Sequence, residues 1–248
     1  KKTILLLGAT GYLGIYILYE LIKNTNSNII IIVRDSKSSD VIKRINNLFY
    51  YYFNENLEQY SKKLRIIKAE ISLDKFGLTD LLYNELSKTV DLVINSAAKV
   101  QHFGEWKDFE RSNIGIIKNA KDFCNSLSQK KLIQISTASV SSGCKDSIFS
   151  EESKNFNPDI VNNLYIKSKI IAEQELLEDE NFTNWEIIRV GNICFDSNNG
   201  IFQNNWKENA FLSRLLVLVR SNNIPSGFIN NEYSFVNNIA KAVLKLSM

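Results

Sequence analysis

Runs of consecutive apolar residues alternate along this chain with stretches in which apolar positions recur every three or four residues. The runs predict strands at Thr3–Leu7, Ile29–Val33, Leu64–Ile67, Leu92–Asn95, Lys131–Ile135 and Glu186–Val190. The periodic stretches predict helices over Tyr12–Lys23, Val41–Phe53, Lys75–Leu86, Phe109–Asn125 and Asn163–Leu177. Alternating units of this kind build a parallel sheet, and near-continuous Ile, Leu and Val suits strands buried on both faces. The expected class is α/β, a doubly wound parallel sheet. After Val190 the pattern changes to one long amphipathic stretch, Glu208–Val219, then Tyr233-Ser-Phe-Val and a final helix from Asn237. Trp185 and the aromatic run Phe49–Phe53 are expected to pack in the core or on a helix face.

Gly8-Ala-Thr-Gly11-Tyr-Leu-Gly14 follows the first strand directly and opens the first helix. Three glycines alone are a weak signal; a strand before them and a helix after supply the context of a Rossmann-type turn, where backbone amides face a pyrophosphate. Gly8, Thr10, Gly11, Tyr12, Leu13 and Gly14 are therefore candidates for cofactor binding, with Gly11 allowing close approach and Gly14 close helix packing. The bland alternative is a structural turn. The second strand ends in Val33-Arg34-Asp35, and an Arg here accommodates a 2′-phosphate where NAD-selective folds place a carboxylate. Arg34, with Arg44 as a second contact, favours NADPH, and Asp35 keeps NAD open. Glu70, followed by Ile71, could meet the adenine amino group or be a surface carboxylate. The small residues of Asn95-Ser-Ala97-Ala98, followed by Lys99, permit the backbone to approach a ribose, or simply pack closely.

Gln134-Ile-Ser136-Thr137-Ala-Ser139 ends the fifth strand in hydroxyls, where a side chain can reach the crevice at the sheet's C-terminal edge. Ser136, Thr137 and Ser139 compete, and strand alternation lets only some face inward. Tyr165 and Lys169 lie one helical turn apart on the next helix, so an ammonium can stand beside a phenol and make it a better acid. Together with the glycine turn, this reads as a reductase. His102, the sole histidine, is first a packed loop residue and second a substrate contact.

With 30 basic and 27 acidic side chains the net charge is only +3, and no basic stripe alternates with aromatics, which argues against a nucleic-acid partner. No apolar run approaches the roughly 20 residues of a membrane span. Lys1-Lys2 before an apolar run looks like a leader, but three glycines and Glu20 interrupt the stretch. Cys124, Cys144 and Cys194 are widely spaced and suggest reduced cytoplasmic thiols; no metal site is expected. Two prolines and no Ser/Gly-rich linker mark no flexible boundary. The chain begins without Met at its first strand, and we expect it to have been cut from something longer.

At these residues the chain resembles the extended short-chain dehydrogenase/reductase superfamily. More closely it resembles the thioester reductase domains that end nonribosomal peptide synthetases. The likeness runs through Ile4–Gly14, Val33-Arg34, Ile94–Gly104, Ile135–Val140, Tyr165–Lys169, Arg189-Val-Gly-Asn-Ile193 and Tyr233–Val243. It implies Thr137 as the catalytic hydroxyl, Tyr165 as the acid and Lys169 as its partner and ribose holder. It also implies that Asn113, Val190, Asn192 and Ile193 belong to the cofactor site. Glu70 stands where the family has Asp, and Ile116-Ile117 where it has Gly-Thr. The implied reaction is NADPH-dependent release of a phosphopantetheine-bound acyl or peptidyl thioester as an aldehyde, with reduction to the alcohol left open. The implied partner is an upstream carrier domain, and the expected state is a monomeric domain. The implied organisation is a Rossmann domain over residues 1–190 and a small, incomplete substrate lobe over 191–248, interleaved with the last sheet elements. A sugar-nucleotide epimerase or dehydratase, a stand-alone short-chain reductase and a non-enzymatic NADP sensor are the alternatives.

Overall fold

The structure is a computed structural model describing residues 1–35, 40–101, 104–126, 130–222 and 232–248. Six strands form one sheet: β1 (Thr3–Leu7), β2 (Asn28–Val33), β3 (Leu64–Lys68), β4 (Leu92–Asn95), β5 (Lys131–Thr137) and β6 (Trp185–Val190). Their spatial order is β3-β2-β1-β4-β5-β6, every pairing parallel. This is the Rossmann order, and its reversal between β1 and β4 opens a crevice beyond the strands' C-terminal ends.

Strand alternation divides the core in two. Ile4, Leu6, Ile29, Ile31 and Ile94 face one side, packed by α1 (Tyr12–Asn24), α2 (Val41–Phe53) and, from the far end of the chain, α8 (Val236–Ser247). Leu5, Leu7, Ile30, Ile32 and Val93 face the other, against α3 (Asp80–Thr89), α5 (Ile116–Asn125) and α6 (Leu164–Leu177). Burying each Leu or Ile contributes on the order of 1.5–3 kcal/mol, so two covered faces outweigh the weak helix propensity of α2's aromatic run. Within that run Phe49 and Tyr52 are buried while Tyr50 and Tyr51 stay exposed, and Trp185 packs half-buried against the second cluster.

Two helices depart from expectation. The predicted helix Lys75–Leu86 breaks in two: a tight turn over Asp74–Gly77 holds Lys75 and Phe76 in the left-handed region (φ 50° and 59°), and α3 starts only at Asp80. The break places Phe76 in the core beside Phe123, and Thr79 then caps α3 through the amide of Leu82. The predicted helix Phe109–Asn125 begins earlier, with α4 (Trp106–Phe109), and passes through a π-turn at Glu110–Gly115 before α5. Such widened turns often mark functional positions, and this one carries Asn113.

The final segment is not detached from the sheet. β7 (Asn192–Cys194) pairs with β8 (Tyr233–Phe235) in a small parallel ladder, and α8 returns to α1. Between them α7 (Ala210–Ser221) exposes Leu215, Val217 and Val219. No described helix is long and apolar enough to cross a membrane. The three cysteines are free.

Candidate active site

The glycine turn packs to its limit. Gly8 adopts φ +82°, and a Cβ on Gly14 would lie 2.0 Å from the Gly8 carbonyl oxygen and 2.9 Å from Ser96 Oγ. No larger residue fits at Gly14 without parting α1 from β1. Gly11 caps α1 with no side-chain hydrogen bond, and the first turn carries no acidic residue. A bare, positively polarised helix end beside a glycine cradle suits a pyrophosphate.

Two cavities meet at this turn. The first, about 590 Å³, runs over β1 and β2 and is lined by Gly8, Thr10, Gly11, Arg34, Arg44 and Glu70, with Ile71 and the Ala97–Lys99 stretch completing it. The second, about 280 Å³, lies over β4–β6, with Tyr12, Leu13 and Gly14 on one side. Its opposite wall carries Thr137, Tyr165 and Lys169, and its rim Val190, Asn192 and Ile193. Gly11, Ser96 and Ala98 line both. Of the residues singled out in the sequence, Asn113 borders neither. It is buried and accepts from the Lys99 amide at 2.7 Å while donating to Ser168 Oγ at 2.8 Å, so it fixes the loop after β4 to α6. His102 lies outside the described residues.

In the first cavity the charged candidates hold one another. Arg34 Nε meets Glu70 Oε2 at 2.8 Å, and Arg44 donates to the Arg34 carbonyl at 2.7 Å. Glu70 is braced in turn by the Ser72 hydroxyl at 2.9 Å. Lys99 pairs with Asp108 at 2.8 Å and sits over the Phe109 ring. The guanidinium and carboxylate that sequence reading assigned to separate contacts therefore form one exposed ion pair.

The second cavity distinguishes the three competing hydroxyls. All three line it, but Ser136 donates to Glu173 on α6, and Ser139 stands two residues beyond the strand, its amide donating to Thr137 Oγ1. Thr137 hydrogen-bonds Tyr165, which favours the phenolate, but burial dominates and pushes the phenol above its ordinary value. The expected lowering by a neighbouring ammonium is absent. Lys169 donates instead to the Ile135 carbonyl at 2.7 Å, and burial pushes it down to about 8 against the opposing pull of Glu173. The phenol thus keeps its proton available at neutral pH. Tyr12 donates its hydroxyl to the Cys194 and Ile201 carbonyls, tying the start of α1 to the segment after β6.

Sequence reading passed over several lining residues. Asp108, Arg111 and Ser112 border the first cavity, and Gln203, Asn205 and Asn209 close the second from beyond β7. None sits in a recognisable motif. Glu173 and Arg189 were also missed, although a Glu one turn after Lys169 and an Arg within an apolar strand were visible signals.

Glycine cradle, bare helix end and a crevice leading to a hydroxyl–phenol–ammonium group define a nicotinamide-dependent oxidoreductase of the extended short-chain class. The chain belongs to the NAD-binding family described as Male sterility protein, whose model matches residues 6–243. It is similar to probable polyketide synthase 45 of Dictyostelium discoideum, 30% identical over 192 residues, which is 73% of this chain and 6% of that protein. A thiolation-reductase di-domain from an archaeal non-ribosomal peptide synthetase superposes with TM-score 0.89 at 29% identity, over 99% of this chain and 67% of the other. The terminal R domain of the myxalamid PKS-NRPS pathway gives TM-score 0.89 at 24% identity, over all of this chain and 63% of that one. The chain thus spans a small fraction of its curated relative and about two thirds of these reductase structures.

Proposed function

We propose that this chain uses NADPH to reduce a phosphopantetheine-bound acyl or peptidyl thioester and release it as an aldehyde. The observation that carries this reading is the hydrogen-bonded Thr137–Tyr165 pair on the wall of a cavity continuous with the glycine cradle. The archaeal neighbour, in which a reductase is joined to a thiolation domain, supports a carrier-borne substrate. In this reading residues 1–190 hold the cofactor and 191–248 face the substrate, through Gln203, Asn205 and Asn209.

The bound cofactor supplies hydride to the carbonyl carbon. Thr137 and Tyr165 donate to the carbonyl oxygen as negative charge develops there, a role worth about 3 kcal/mol per donor. Tyr165, its proton retained by burial, passes that proton from Oη to the oxygen. The resulting hemithioacetal collapses to aldehyde and free thiol. Lys169 holds the nicotinamide ribose, and Arg34 with Arg44 meets the 2′-phosphate. The test is incubation of a coenzyme A or carrier-bound thioester with and without NADPH. Aldehyde formation together with NADPH consumption is expected, and thiol release independent of NADPH overturns the reading.

A further inference from the structure

We propose that Glu173, held by Arg189, is a positioning residue that keeps Lys169 in its ammonium form and aims Thr137 into the reaction cavity. The inference rests on the assignment of Lys169 to the cofactor site.

Glu173 lies one helical turn beyond Lys169 on α6, on the same face, and is only 1% exposed. Its carboxylate accepts from the Ser136 hydroxyl and from Arg189 Nε and Nη2, at 3.1 and 2.8 Å. The rest of that guanidinium is spent as well. It donates to the carbonyls of Ser150 and Ser153, at 3.2 and 2.9 Å, and lies over the rings of Phe149 and Phe156. A buried ion pair so fully engaged is poor evidence of stabilisation, since desolvation offsets most of the attraction. What it fixes is geometry and charge.

Three successive residues at the end of β5 are tied to α6. Ile135 offers its carbonyl to Lys169, Ser136 its hydroxyl to Glu173, and Thr137 its hydroxyl to Tyr165. Ser136 and Thr137 both reach α6 where β5 passes into a tight turn, so anchoring Ser136 to Glu173 fixes the backbone that presents Thr137 to Tyr165. The second effect is electrostatic. Ser136, Thr137 and Tyr165 line the same cavity as Lys169, Glu173 lies one turn further along its own helix, and Arg189 on β6 is bonded to Glu173. Among the described residues Glu173 is the charge whose field reaches the ammonium, and it opposes the burial that drives Lys169 toward the free amine. Arg189 keeps Glu173 compensated without bonding to Lys169.

Burial lowers Lys169, so its ammonium should be lost as pH rises into the alkaline range, and NADPH affinity should fall with it. The test measures the NADPH dissociation constant by fluorescence titration from neutral to alkaline pH. Glu173→Gln preserves shape and removes charge, and its alkaline fall should move to lower pH by on the order of one unit. Ser136→Ala removes the tie but not the charge, and should lower kcat while leaving the fall in place. Lys169→Met should abolish the fall. If it does not, the assignment of Lys169 is wrong, a failure distinct from that of the present proposal. A folded Glu173→Gln protein with an unmoved fall overturns the proposal. Should that variant not fold, the double replacement Glu173→Met with Arg189→Met removes both charges and should show the same acidward shift. Failure of both to fold would make the pair a folding element only, and would equally overturn the role proposed.

Discussion

At one end of the crevice the Arg34 side chain is 65% exposed, with Arg44 and Glu70 half-buried beside it. At the other end Thr137, Lys169 and Glu173 are buried, and Tyr165 is half-buried. The first group is held by an ion pair and hydrogen bonds at the cavity mouth, including Ser72 to Glu70 and Arg44 to the Arg34 carbonyl, the second by interlocked hydrogen bonds between β5, α6 and β6. Solvent screens the exposed charges, whose pairs are worth about 0–1 kcal/mol. Removing a partner from a buried network leaves an uncompensated group and costs several kcal/mol. On the proposed reading, recognition of the cofactor's polar end is therefore adjustable, whereas the reacting end is held tightly.

The largest expected effect lies at the rigid end. Tyr165→Phe should lower turnover of a thioester by about 10³-fold, since it deletes a proton donor and an oxyanion contact. NADPH affinity should change little, because the ring remains. Steady-state kinetics beside a fluorescence titration separate the two, and a variant keeping most of its activity would reduce Tyr165 to a packing residue.

Thr137→Val should cost less, about 10²-fold in kcat, because Tyr165 still donates to the same oxygen. The loss should appear in kcat more than in KM if Thr137 acts on the developing charge rather than on bound substrate. A pure KM effect would assign Thr137 to substrate positioning and leave Tyr165 as the sole donor.

Tyr165 and Lys169 stood out as candidates in the sequence, and the reason differs from the one that made the fold legible. The strands announce themselves because a sheet covered on both faces needs unbroken apolar runs such as Ile29–Val33. Tyr165 and Lys169 are visible because helical spacing alone puts them on one face. Contacts that depend on the register between distant strands leave no such trace. Arg34 and Glu70 are far apart in the chain, and only the parallel pairing of β2 with β3 places them side by side. Ser136 and Thr137 could not be ranked until their different partners on α6 were seen, Glu173 for the first and Tyr165 for the second. The predicted helix over Lys75–Leu86 failed for a local reason: Gly77 and Thr79 are a break and a cap, but the pull of Phe76 into the core decided the turn.

At the adjustable end, Arg34→Ala should weaken NADPH binding by about tenfold, as expected for one charge-assisted hydrogen bond at a wet surface. NADH binding should hardly move. Equal losses for both cofactors would mean that Arg34 supports the fold of the β2 end, and no loss would leave 2′-phosphate recognition to Arg44.

Glu70→Gln should give the smallest effect and the sharpest view of this end. Glu70 holds Arg34 by its Nε and places a carboxylate in the same cavity. A 2′-phosphate arriving there meets a cation already partly neutralised, together with a like charge. The amide retains the hydrogen bond from Ser72 but not the charge, so Arg34 becomes free to turn fully to the ligand. The expected outcome is NADPH binding tightened by up to about fivefold, the scale of a surface ion pair, with NADH unchanged. The gain should shrink as salt is raised from low to physiological strength, because exposed charges are screened over about 8–10 Å. If Glu70 instead meets the adenine amino group, both cofactors should weaken together and salt should matter little. If it only orients Arg34, NADPH alone should weaken. Paired titrations of the two cofactors at two salt concentrations separate these outcomes, and only a salt-sensitive gain confined to NADPH agrees with a carboxylate that restrains the cofactor preference of its own site.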